Sequence, residues 1–455
     1  MRPHWKKLSV LFVGWLLLAF MLSSCEGLPF EIPWLVDDLS SPTQPVDEVI
    51  EITATPEETP VVEETPSPVT SLTLWVPPEM DPELNSVASI LFSNRLNDFS
   101  VANDGIEINV RVKAASGAGG LLDALSATSA AAPAALPDLI VLSRPDLESA
   151  ALKGLIFPMD GLSSSPDDPD WYSFTREMAL IQGSAFGLPF AADAQVLVYR
   201  IGALPETPST WSDLFELNSF DEADDEITED FEQIILAFAT EHDQALFPMT
   251  LYLAEGGAVM DSQRRPLLEV EPLTKVFSLL EEGVTAGIFP DWLSQYQTSG
   301  QVWTAFKEGQ VDFAVTWLSN ILLENPEGVD FIPLFPGSER SISQGTGMSF
   351  ALATPQEHRQ PLAVALAEFL VQSDYLADWT KEAGYIPPRP SSLESWEDQS
   401  LRTKVSQVAL MTRLRPSNDI VLSLGPILRE GTRQMLQSLA DPVQAAQLAV
   451  ESLED

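Results

Sequence analysis

Pro137-Asp138-Leu139-Ile140-Val141-Leu142-Ser143-Arg144-Pro145 sets four consecutive apolar residues between two prolines. The run is too short for a helix and shows no polar alternation. It reads as a strand covered on both faces, the kind found in parallel sheets flanked by helices. The chain before it agrees. Leu72, Leu74 and Val76 alternate with Thr73 and Trp75, and Ile106, Ile108, Val110 and Val112 form a second alternating strand. Between them Asp81-Pro82 predicts a helix start, with Leu84, Val87, Ala88 and Leu91 on one face. Gly117 to Ser129 reads as an Ala/Leu-rich helix, and Leu147, Ala150 and Ala151 follow at helical spacing. Alternating strands and helices predict an α/β fold with a largely parallel sheet.

Farther on, strand patterns fall at 185–188, 195–199, 311–316, 331–336 and 348–353. Helical patterns fall at 231–240, 273–282, 302–307 and 362–371, and from Leu401 the chain reads as wholly helical. The body from Ser71 onward, about 385 residues, exceeds one ordinary core and predicts two lobes. Cys25 is the only cysteine, so the body holds no disulfide and rests on packing. The formal charge of −43, from 24 Lys and Arg against 67 Asp and Glu, excludes nucleic acid and anionic lipid surfaces as partners, since both need basic patches.

The first 70 residues read as an address. Arg2, Lys6 and Lys7 precede an apolar stretch from Leu8 to Leu22, shorter than the roughly 20 residues of a bilayer span. Leu22-Ser23-Ser24-Cys25 follows and resembles the lipobox of bacterial lipoproteins, which implies a signal peptide over 1–24 and lipidation of Cys25. Residues 26–70 carry no Lys or Arg, many acids and repeated prolines. Such a segment buries too little apolar surface to fold, so 25–70 reads as an acidic tether reaching on the order of 35–40 Å.

Five blocks in order resemble the extracellular solute-binding proteins of bacterial ABC importers, the group that includes maltose- and oligosaccharide-binding proteins. They are Pro137-Asp138 with Gly154 to Asp160; Gly187-Leu-Pro189-Phe190 through Asp193 to Tyr199; Pro208 with Thr210-Trp211-Ser-Asp213-Leu214; Ala305-Phe306 with Gly309 to Trp317; and Ala367 to Leu370 with Gly384-Tyr385-Ile386-Pro387-Pro388-Arg389. Arg200 stands where the family places Asn, and the acidic run 221–230 is unusual. The resemblance implies a two-lobed, type II periplasmic-binding-protein-like fold. Each lobe is a mostly parallel sheet flanked by helices, with a helical C-terminus. Lobe 1 takes 71–188 and 335–384, lobe 2 takes 189–334 and 385–455, and three crossings join them.

The implied function is delivery of a small polar solute, most of all a sugar or oligosaccharide, to an ABC permease by hinge closure. The protein would be a monomer tied to the outer face of the cytoplasmic membrane. Sugars are held by an aromatic face on the ring and polar groups on the hydroxyls. Candidates are Trp75 at the end of the first strand, Phe190 and Asp193 after the first crossing, Trp317, and Tyr385 beside the last crossing, with Glu79 and Gln344 behind them. His4, His242 and His358 form no metal-binding spacing, and no nucleophile elbow or phosphate loop appears, so neither catalysis, cofactor nor metal is expected. A ligand-sensing lipoprotein and a surface glycoside-active enzyme are the alternatives.

Overall fold

The computed structural model describes residues 68–202, 210–216, 218, 234–240, 244–334 and 342–454. The expected signal peptide, Cys25, all but the end of the tether, and the acidic run 221–230 lie outside the described residues.

The first part of the body runs β1 (Ser71–Val76), α1 (Val87–Ala102), β2 (Glu107–Val112), α2 (Leu121–Ala131), β3 (Leu139–Ser143) and α3 (Arg144–Leu152). The expected start of α1 at Asp81-Pro82 is corrected. Asp81 instead closes a turn by accepting the Glu83 N–H (2.9 Å), and Ser86 caps the helix by accepting the Ser89 N–H (3.1 Å). Leu84 falls outside the helix and is 45 % exposed. Next come α4 (Ser173–Ala179), the short pair β4 (Leu180–Ile181) and β5 (Ser184–Ala185), and the 14-residue β6 (Gly187–Arg200). They lead into α5 (Trp211–Glu216), β7 (Leu236–Ala237), α6 (Leu246–Ala254), α7 (Val270–Thr285), α8 (Ser299–Lys307), β8 (Phe313–Trp317), α9 (Leu318–Glu324) and β9 (Val329–Pro333). The chain then returns through β10 (Ser343–Leu352), α10 (Gln360–Leu370) and α11 (Ser373–Ala383), and ends in α12 (Pro390–Glu394), α13 (Gln399–Met411), β11 (Thr412–Leu414), α14 (Asn418–Leu436) and α15 (Pro442–Glu454).

Two further expectations are corrected. The helix expected over 231–240 is, where described, an extended piece containing β7, because Leu236, Ala237 and Phe238 are all enclosed and β7 lies parallel to β8. An apolar run buried on every side has no periodicity to separate strand from helix. The helical C-terminus is interrupted by β11, which pairs in parallel with the start of β10, Ser343 opposite Thr412.

Among the described residues the strand order β2-β1-β3-β10-β6-β8-β7, with β9 also on β6 and β11 on β10, makes one nine-stranded sheet. In the first half β1, β2 and β3 are mutually parallel, and β10, with β11 parallel to it, is reversed. In the second half β7, β8 and β9 share a direction and β6 is reversed. The molecule has the two-lobed architecture, and its cores divide accordingly. Around β1–β3 one core gathers Phe92, Phe190, Phe350 and Trp379, and a second, on Trp75, Leu125, Ile140 and Leu147, covers the other face. The third gathers Phe238, Phe247, Phe277, Phe289 and Phe313 with Leu424 and Leu428 of α14. Asp138 is buried beneath the first sheet. It receives Nε and Nη2 of Arg359 (2.6 and 2.7 Å) and the Thr73 N–H (2.8 Å), which ties β1, β3 and α10 together.

Candidate ligand-binding site at the strand crossing

Among the described strands β6 is the longest, because it belongs to both halves of the sheet. Gly187 to Ala194 pair with β10, and from Gln195 on the partner is β8, Gln195 facing Trp317. At this handover Ile386 exchanges both backbone hydrogen bonds with Ala192, so three passages of the chain meet within a few residues. Gly347 permits the approach. A methyl there would meet the Ala191 carbonyl oxygen and the end of Met178. The third passage is pinned by Arg389, which donates to Asp168 (2.8 Å), the Val371 carbonyl (2.9 Å) and Ser165 (3.1 Å) and lies 3.9 Å over the Trp171 ring.

Alternation along the paired strands sorts their side chains by face. Ala192, Ala194, Gly345 and Gly347 turn to Phe174 and Met178 of α4. Asp193, Gln195, Gln344 and Thr346 share the other face, Thr346 directly opposite Asp193. One side of the crossing is therefore apolar and packed, and the other is lined with polar groups.

Asp193 is the charged centre of that face. Its carboxylate accepts from the Ser319 N–H (3.0 Å), the Ser319 hydroxyl and the Ala194 N–H (2.9 Å). Burial pushes its pKa up to about 6, against the pull of these donors. Gln195 accepts from the Thr250 hydroxyl (3.3 Å). Tyr385 stacks flat on Trp379, 6.1 Å between centroids. Its phenol lies well above the usual range, first because it is buried and then because the Glu79 and Asp193 charges act on it. The loop after β1, the first crossing and the third crossing thus converge on one electrostatic environment. Trp317, half-buried, ends β8 opposite Gln195 and stands just before Ser319.

Of the residues expected at a site, Asp193 and Glu79 act electrostatically on Tyr385, Trp317 lies opposite Gln195 two residues along β6 from Asp193, and Gln344 lies on the Asp193 face of β10. Trp75 and Phe190 lie in the cores. Trp75 is 2 % exposed in the core with Leu125 and Ile140, with Lys113 Nζ 4.3 Å over its ring. Phe190 is 1 % exposed between Phe350 (4.3 Å) and Trp379 (5.4 Å). Neither offers a ring face to a ligand in this conformation.

A second polar junction links α3 to α14. Asn418 donates its N–H to Glu148 (3.0 Å) and Nδ2 to the Pro145 carbonyl (2.8 Å), and accepts from Arg415 (3.0 Å), while Arg144 pairs with Glu148 at 3.3 Å. Burial holds the Arg144 pKa below its ordinary value, partly opposed by Glu148. The sequence reading missed this junction, because its partners stand about 270 residues apart and no local pattern announces the pairing. It also missed Gln195. There a signal was present, polar Asp193 and Gln195 alternating with Ala192 and Ala194 inside an otherwise apolar strand.

Among the described residues no group of His, Cys, Asp and Glu could hold a metal ion, and no helix is long and apolar enough to cross a membrane.

The family model for bacterial extracellular solute-binding proteins matches residues 94–403. The chain belongs to that family. Solved structures agree in fold. A cyclo/maltodextrin-binding protein in complex with maltotetraose superposes with a TM-score of 0.68 at 19% identity, covering 86% of this chain and 98% of that one. The sugar-binding protein MalE of Xanthomonas citri gives 0.66 at 17%, over 85% and 96%. An extracellular solute-binding protein from Staphylococcus aureus in complex with maltose gives 0.65 at 17%, over 86% and 98%. No curated protein matches the chain in sequence. For this solute-binding protein the likenesses establish the two-lobed fold, and the family places it outside the cytoplasm.

Proposed function

We propose that this solute-binding protein grips a neutral sugar or oligosaccharide between two lobes, 71–188 with 335–384 and 189–334 with 385–455, and hands it unchanged to an ABC permease. Lipidated Cys25 and the tether 25–70 would hold it at the outer face of the cytoplasmic membrane. The observation that carries the reading is the polar face of the crossing, where Asp193 sits among groups drawn from three separate passages of the chain. A ligand resting there touches both lobes only when they approach, so its binding favours the closed arrangement by the difference in affinity. Asp193 accepts a ligand hydroxyl, and Trp317 and Tyr385 supply the aromatic faces. The sugars seen in the structural relatives support the solute class. Nothing in this scheme breaks a bond.

The test is a thermal-shift screen with maltose and maltotetraose, since a ligand that binds only the folded state raises the melting point by mass action. Trp317→Ala is expected to lose the shift, with affinity down roughly a hundredfold, while the unliganded melting point stays near wild type because the ring is only half-buried. A full shift in the variant removes Trp317 from the site. The anchor has its own test. Cys25→Ser is expected to move the protein from the membrane fraction to the soluble fraction, and retention in the membrane would refute lipid attachment.

A further inference from the structure

Gln344 is fully enclosed, at 0 % exposure, and neither its Nε2 nor its Oε1 has a hydrogen-bond partner among the described residues. A buried polar group without a partner is uncommon and destabilising, and a carboxamide with both ends unmet is more so. The residue does not belong to a remote core. It is the second residue of β10, on the same face as Thr346 and Asp193, with neighbouring Gly345 turned the other way onto Phe174. Gly345 lies opposite Ala194, so Gln344 continues the register to Gln195, whose own carboxamide is engaged by Thr250. Of these two buried amides at the crossing, one is bonded and the other is not.

We propose that Gln344 determines specificity in the site: its carboxamide engages two adjacent hydroxyls of a neutral polyol, one donating to Oε1 and one accepting from Nε2. This inference rests on the solute-binding reading above. The amide decides the class of ligand because it needs a donor and an acceptor side by side. Vicinal hydroxyls provide both. A phosphate or carboxylate only accepts. It would leave Oε1 unmet, whichever of the two nearby charges it met, Arg413 opposite Gln344 on β11 or Asp193 on β6. The buried, unmet amide is then a local instability kept for recognition, the pattern in which a functional group lowers the stability of the empty protein.

Gln344→Met tests this, because methionine has nearly the same length and shape and makes no hydrogen-bond demand. The full chain and its variant are compared by melting without ligand, and by calorimetric titration with maltose, maltotetraose and glucose 1-phosphate. The variant is expected to melt about 2 °C or more above wild type when unliganded and to bind the neutral sugar roughly tenfold or more weakly. A purely structural amide, satisfied by an enclosed water, gives the reverse: a lower melting point with affinity unchanged. Either of those results overturns the proposal, as does a wild type that takes the sugar phosphate and no neutral sugar. A wild type silent to every solute is a different outcome. It defeats the solute-binding reading itself and takes this inference with it.

Discussion

Asp138→Ala is expected to cost about 3 kcal/mol, a large share of the stability of an ordinary protein. The reason is what the variant leaves behind. Asp138 is 3 % exposed and meets Arg359 at two points, 2.6 and 2.7 Å. The Arg359 guanidinium is held above its ordinary pKa by this carboxylate, against the opposing effect of its own burial. Removing the carboxylate leaves a partly exposed cation without its partner and also orphans the Thr73 N–H, which it accepts at 2.8 Å. A buried ion pair adds little beyond a well-packed apolar replacement, but breaking one from a single side is severe. Arg359 keeps one bond, from Nη2 to the Ser71 carbonyl (2.6 Å), and that does not balance its charge. Urea unfolding of Asp138→Ala should show a much lower midpoint. A second variant, Asp138→Ala with Arg359→Met, should recover part of the loss. A midpoint near wild type for the single variant would show that the pair is not needed.

The same residue explains why the fold was easier to read than the site. Pro137-Asp138 is one of the blocks that carried the resemblance, and its acid serves the sheet rather than a ligand. The other blocks behave alike. Thr210 and Asp213 exchange hydrogen bonds at 3.0 and 3.1 Å to start α5, with Trp211 packed beneath. Gly384 closes α11 in the left-handed region at φ +77°, where a side chain would strike Leu323 of α9. Arg389 clamps the third crossing from within. Such devices recur along the chain in a fixed order and are visible as letters. The site depends instead on which face of a crossing strand is covered, and covering is decided by segments far away in sequence. Trp75 and Phe190 are aromatic residues placed where ligands commonly bind, yet α2 closes over one and α11 over the other. Gln344 stood among the candidates, but its lack of a partner is a property of the folded surroundings and has no signature in the letters. Asp193 was singled out through the resemblance, and its place inside an apolar strand is what makes it stand out, because a carboxylate there costs stability and contributes nothing to packing.

Asp193→Asn is expected to change how stability depends on pH. The carboxyl sits at about 6 in the folded protein, against 3.8 for the unhindered group. Between those values the folded state keeps a proton that the unfolded chain has released. Stability from this residue is thus fully present below about pH 4, declines as pH rises through 6, and is flat beyond, a loss of about 3 kcal/mol for a shift of this size. Acids such as Asp168, Glu324 and Glu430, held low by their partners, act in the opposite sense, so the total curve is not diagnostic. The difference between wild type and Asp193→Asn is. Relative to the variant, the wild type should lose about 3 kcal/mol between about pH 4 and 7, superimposed on a constant offset from the altered bonds to Ser319. A difference that does not change with pH would mean that burial does not raise this carboxyl. The physical sense lies in the ionised form. At neutral pH the crossing tolerates an unfavourable buried charge and steadies it with the Ser319 and Ala194 donors, and in the proposed site that charge is the acceptor for a ligand hydroxyl. Sugar affinity should therefore weaken as pH falls below about 6 in the wild type, while Asp193→Asn, weak throughout, should show no such dependence. The two profiles share one titration but run in opposite directions, because the proton that relieves the fold removes the acceptor from the site.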